Sequence, residues 1–218
     1  MLGDHIAEES ADFGALARLF GTWDDYSRNI RGIMERRLSH LQRVDETLFH
    51  MVERAIEEIP KHPTLCLAAL SQIEDRAFGL IWKWECDDEG ALPSSVISDW
   101  SAMPKNQRHW LVDEMMSADE AGTPGAWKIP QDRAKQLALL QFLTGSDRNY
   151  DRALGRYATK DSYVLLNAIH SFRNRTQHDA GQPIPLGVAV SALMLCIELL
   201  ACNQLLAIFT TISKTAKR

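Results

Sequence analysis

The stretch "SFRNRTQHDAG", residues 171–181, places Arg173, Asn174, Arg175 and His178 within six positions, just ahead of a long apolar segment. Arginine is a permanent cation whose planar fork grips phosphate through two parallel hydrogen bonds, but it cannot serve as a base. Histidine titrates near pH 6.5 and moves protons. Asparagine can orient either of them or donate to an oxyanion. Such a set suits an anionic phosphodiester, and RNA above all, because its 2′-hydroxyl is a built-in nucleophile. That hydroxyl needs deprotonation and charge stabilisation, with no metal-bound water. On a helix Asn174 and His178 lie within about 40° of each other, whereas Arg173 stands about 140° from His178. The two converge on one point if the helix ends between them, or if a two-fold axis sets one subunit's motif against its mate's.

The same residues also describe a helix end. Cations are favoured in a last turn, with glycine just past it and proline beyond, and Arg173, Arg175, His178, Gly181 and Pro183 fit that pattern. The spacing Arg-Asn-x-x-x-His is nevertheless uncommon. From 16 Arg, six Asn and seven His in 218 positions, chance supplies it in about one such sequence in seventy. Arg-Asn occurs at Arg28, Arg148 and Arg173, and only the last leads to a histidine at this distance.

The elements that must position the motif read as helices throughout. Between residues 26 and 59, Ile30, Ile33, Met34, Leu38, Leu41, Val44, Leu48, Val52, Ala55, Ile56 and Ile59 keep the three-four spacing of one long stripe that Pro60 ends. After "KHP" the pattern returns at Leu65, Ala69, Ile73, Ala77, Leu80, Ile81 and Trp84. So short a connection folds the second helix back antiparallel, which predicts a long helical hairpin over 23–86. Residues 87–130 are rich in Pro, Gly and Ser breakers around a short amphipathic piece at 107–116, and read as a loop-rich insertion. Helical signals resume over 131–143 and 161–174. Beyond "GQPIP", residues 186–212 are nearly all apolar, and a single long helix is expected there. It is long enough to cross a bilayer, but Glu198, Asn203 and Gln204 interrupt it and flanking aromatics are missing, so a buried central helix fits better. No strand alternation is evident. The expectation is an all-α helical bundle and one domain over 1–218, with 131–218 carrying the motif.

Other residues admit two readings each. His170 lies four positions before Asn174 on the same helical face and can join the site, or be an ordinary packed histidine. Glu198 can pair with Arg173 or a histidine and shift its pKa, or be a structural partner. Arg148, Arg152 and Arg156 recur every four residues as a basic stripe able to follow an RNA backbone, or as an exposed face paired with Asp147 and Asp151. Trp82, Trp84, Trp100, Trp110 and Trp127 can stack on bases or pack the irregular segment onto the hairpin. The acidic run Asp87 to Glu89 lacks calcium-loop spacing and reads as a solvated loop.

Composition narrows the classes. A net charge of −5 speaks against a generic nucleic-acid binder, yet residues 1–131 carry −10 and residues 132–218 carry +5, so the motif sits in the basic part. Cys66, Cys86, Cys196 and Cys202 show neither paired-cysteine spacing nor histidines at zinc-finger distances, so no metal site and no disulfide framework are expected. The opening "MLGDHIAEES" lacks a basic flank and an apolar run, and a cytoplasmic location is the expectation.

With its helical flanks, "RNRTQH" at Arg173 to His178 resembles the signature of the HEPN superfamily, all-α domains marked by Arg-Asn-x-x-x-His. The resemblance covers roughly residues 160–210. It implies a metal-independent endoribonuclease without a cofactor, acting as a homodimer with facing motifs, of the kind found in toxin–antitoxin and antiphage systems with an antitoxin or companion protein. Carried over, Arg173 would contact phosphate, Asn174 would orient the site and His178 would transfer protons, with RNA as substrate; Arg148, Arg152, Arg156 and Arg175 are weaker candidate RNA contacts by their own charge and spacing. Many toxin members carry a tyrosine two places after the histidine, a target for adenylylation. Here that position is Ala180, which puts control through that residue in doubt. The alternative is a non-catalytic module of the same type that binds nucleotide, RNA or a partner protein.

Overall fold

The computed structural model describes residues 23–59, 62–87, 89–147, 152–178, 184 and 186–215. Its elements are helical: α1 (Trp23–Leu38), α2 (Leu41–Val44), α3 (Glu46–Glu58), α4 (Pro63–Glu85), α5 (Ser94–Ser101), α6 (Trp110–Glu120), α7 (Arg133–Leu143), α8 (Lys160–His178), α9 (Leu186–Ala201) and α10 (Asn203–Thr215). An isolated antiparallel bridge joins Ala91 and Lys128. The all-α expectation therefore holds.

The bundle is organised around α4. Pro63 starts it where a missing N–H does no harm, and its buried face runs through Cys66, Leu70, Ile73, Ala77, Phe78 and Ile81. It packs against α3, α8, α9 and α10. The antiparallel pairing of α3 with α4 is the predicted hairpin, but its first arm is not one helix. After Leu38 the chain turns at Ser39 and His40, makes one turn as α2, and leaves helical geometry at Asp45, with φ −152° and ψ 76°. The Asp45 carboxylate then accepts the backbone N–H of Leu48 at 3.1 Å and caps α3. The hydrophobic spacing continues across this break because Leu38, Leu41 and Leu48 all still reach the core.

The insertion-like segment holds more helix than its breakers suggest. Both α5 and α6 lie within it, and α6 takes up the predicted amphipathic piece. Val96, Trp100, Leu111, Val112 and Met115 bury its inner face, with Trp100 against Phe142 of α7 at 5.1 Å between ring centroids. Trp82, Trp100 and Trp127 are buried, and Trp84 packs edge-on against Tyr157 at 5.7 Å. Packing, not base stacking, is what occupies these four. Trp110 is the exception, 55% exposed with Lys135 above its ring.

Residues 152–159 form an irregular connector, held by Glu85 at the end of α4. One carboxylate oxygen accepts the N–H of Arg156 at 2.7 Å, and the other accepts those of Tyr157 and Ala158. The four-residue spacing of Arg152 and Arg156 is therefore not a helical stripe. Arg152 is exposed beside Asp99 at 3.4 Å, and Arg148 lies outside the described residues. Thr159 and Ser162 exchange hydrogen bonds at the start of α8.

The expected single C-terminal helix is also broken. Helices α9 and α10 meet at Cys202 with a bend of 53°. Ala189, Leu193, Cys196, Ile197 and Leu200 bury α9 in the bundle, and Leu205, Ile208 and Phe209 bury α10. Among the described residues no single helix is long and apolar enough to cross a membrane, although the bent pair passes that test together.

Candidate functional site

Arg173, Asn174 and His170 sit on the last turns of α8, where that helix packs against α4. Leu166 and Ile169 fix the contact by burying the same face. Opposite them, in the apolar stripe of α4 and four residues from both Leu70 and Phe78, stands Glu74, whose side chain is 0% exposed. Its carboxylate meets His170 Nδ1 at 3.1 Å through one oxygen and Arg173 Nη1 at 3.4 Å through the other. Asn174 Nδ2 lies 3.0 Å from His170 Nε2. With the amide nitrogen donating there, the imidazole accepts at Nε2 and carries its proton on Nδ1, which it donates to Glu74. Glu74 thus sets the ring's tautomer and orientation, and the ring in turn sets Asn174.

Next to Glu74, Asp75 is half exposed and its Oδ1 accepts from Arg173 Nη1 at 3.0 Å and from Arg133 Nη2 of α7 at 2.7 Å. The guanidinium of Arg133 lies over the Phe78 ring, 4.0 Å from its centroid. Asp75 of α4 therefore ties α7 and α8 together. Burial pushes the Glu74 carboxyl above its ordinary value of 4.5, against the pull of His170 and Arg173 toward the charged form. A titratable group buried between a histidine and an arginine is a recurrent mark of functional sites.

The motif residues are divided by this geometry. Arg173, Asn174 and His170 form one connected cluster. His178 is the last residue of α8, and the helix is continuous from Arg173 to it. A helix end between the two, one of the two routes to convergence, is thereby ruled out, and the backbone register sets position 178 about 140° from position 173. The side chains of Arg175 and His178 lie outside the described residues. Among the described residues Glu198 pairs with Arg37 of α1, whose Nη2 donates to its Oε2 at 2.6 Å in an exposed ion pair, and not with Arg173. The 16-residue rise of α9 carries Glu198 to the far end from Gly187, beside the end of α1.

Sequence reasoning missed Glu74, Asp75 and Arg133. Glu74 leaves a signal, a lone acid inside the apolar stripe of a core helix, while Asp75 and Arg133 leave none. Among the described residues no three His, Cys, Asp or Glu side chains gather as a metal site. Three surface cavities, of about 450, 410 and 490 Å³, are lined by none of His170, Arg173 and Asn174. Within one chain the cluster is a surface arrangement backed by a buried acid. Comparison of the chain with family models, with curated proteins and with solved structures gave no match in any of the three.

Proposed function

We propose that this protein is a metal-independent endoribonuclease of a toxin–antitoxin or antiphage system, acting in the cytoplasm as a homodimer with a composite site. The observation that carries the reading is the buried Glu74, which holds His170, Asn174 and Arg173 in one connected arrangement. Burying a carboxylate is expensive, and helix packing alone does not need it. Arg173 would bind the scissile phosphate, Asn174 would orient the reacting groups and His178 would carry the proton from the 2′-hydroxyl, leaving a 2′,3′-cyclic phosphate. The register of α8 puts positions 173 and 178 on different faces, so the proposal requires His178 to work with Arg173 of a second copy.

A second reading has its own support. Arg173 is already paired with two carboxylates, which restrains it from following charge that develops on a reacting phosphate and so favours a module that binds nucleotide, RNA or a partner protein without cleaving. Incubation with RNA in excess chelator separates the two. The enzyme reading expects cleavage by the wild-type protein, cyclic-phosphate ends, and loss of both in His178→Ala. No cleavage, or undiminished cleavage by that variant, would overturn the enzyme reading.

A further inference from the structure

Glu74 and Asp75 are neighbours in sequence but differ in what they can do. Glu74 is fully buried, so its carboxylate cannot leave His170 and Arg173 without stranding them. Asp75 is 47% exposed, and its carboxylate can rotate into water. In the folded chain one oxygen of Asp75 is shared by the guanidinium groups of Arg173 from α8 and Arg133 from α7. Arg133 is held independently of Asp75. It lies over Phe78, its Nη1 donates to Gln136 Oε1 at 2.7 Å, and Gln136 donates in turn to the Pro130 carbonyl at 2.7 Å. Arg173 keeps its contact with Glu74. Both forks would therefore stay in place if Asp75 swung away, and both remain partly open to solvent, at 24% and 22% exposure. Two fixed arginine forks converging on one anionic oxygen match the way arginine pairs bind phosphate.

We propose that Arg133 and Arg173 form a phosphate-binding clamp whose resting occupant is the Asp75 carboxylate, displaced when a phosphoryl group binds. The proposal rests on the assignment of Arg173 to phosphate contact. It adds Arg133 to the site and makes Asp75 an internal competitor rather than a structural partner. A purely structural Asp75 and a competing one predict opposite signs for its neutralisation, which makes the idea decidable.

The measurement is equilibrium binding of inorganic pyrophosphate, and separately of a short all-2′-deoxy oligonucleotide that cannot be cleaved, to the full chain. Asp75→Asn should tighten pyrophosphate binding about three- to tenfold, the scale of two exposed ion pairs removed from competition. Arg133→Gln should weaken it about tenfold, and Arg133→Lys, which keeps the charge but not the fork, should weaken it by an intermediate amount. A parallel gain with the oligonucleotide identifies a strand backbone as the source of the phosphate, and a gain confined to pyrophosphate identifies a free phosphorylated molecule. Unchanged or weaker binding in Asp75→Asn, with the unfolding midpoint intact, overturns the clamp, as does unchanged binding in Arg133→Gln. Because cleavage is not the readout, a protein inactive on RNA that shows the gain keeps the clamp and loses only the ribonuclease reading.

Discussion

Removing the Glu74 carboxylate tests the buried cluster most directly. Breaking a buried ion pair by deleting one partner typically costs about 3–5 kcal/mol. Here the loss is moderated, because Arg173 keeps Asp75 and is 22% exposed, and because His170 loses one hydrogen bond only. Glu74→Ala should therefore destabilise the fold by about 2–4 kcal/mol, the upper part of that range including the cavity left in the α4 stripe. Glu74→Gln keeps the shape but sets an amide against two donors, and at acid pH it should cost about 1–2 kcal/mol. The pH dependence gives a sharper check. A carboxyl whose pKa is raised by burial contributes stability that is complete below the ordinary value of 4.5 and is lost as pH rises through the raised value. The wild-type protein should lose stability relative to Glu74→Gln over that window, so the gap between them narrows from pH 4.5 upward. Urea denaturation followed by tryptophan fluorescence, repeated from pH 4.5 to 8, measures both quantities. A loss below about 1 kcal/mol for Glu74→Ala, within the range of ordinary surface changes, would refute the buried cluster. A wild-type protein that gains on Glu74→Gln as pH rises would instead show that the pull of His170 and Arg173 outweighs burial at this carboxyl.

Two further outcomes follow from residues that hold the scaffold. Asp45→Ala removes the cap of α3 and the acceptor for Arg76 Nε at 2.7 Å, and a loss of about 1–2 kcal/mol in urea is expected. Glu85→Ala leaves the three N–H groups of Arg156, Tyr157 and Ala158 without their acceptor. It should cost about 2–4 kcal/mol and speed hydrogen exchange at those amides ahead of the rest of the bundle.

The helical class and the α3–α4 hairpin were legible because apolar side chains keep the helical period wherever a helix buries a face. The breaks were not, and the reason is the same. At Asp45 a side-chain oxygen replaces a backbone acceptor while Leu41 and Leu48 stay in the core, so the period survives a break that ends the helix. At Cys202 the apolar run continues through a bend that the packing of α10 onto α2 and α4 requires. Within the site, Arg173, Asn174 and His170 were readable from local spacing. Glu74 and Asp75 reach them from 96 to 99 residues away, Arg133 joins through Asp75 at a separation of 58, and no local pattern encodes such a meeting. The pairing of Glu198 with Arg37, 161 positions apart, was missed for the same reason.

The grip of Glu85 on the connector has a topological consequence. It joins the end of α4 to residues 71–73 positions further along, so the segment between begins and ends at one point of the bundle. Everything between, α5 to α7 included, is a closed excursion whose ends are already fastened together. Lengthening, shortening or exchanging the part of that excursion before α7, which itself returns Arg133 to Asp75 and Phe78, need not pull α4 and α8 apart, and the fold can vary there while the paired faces that carry Glu74 and Arg173 stay in register.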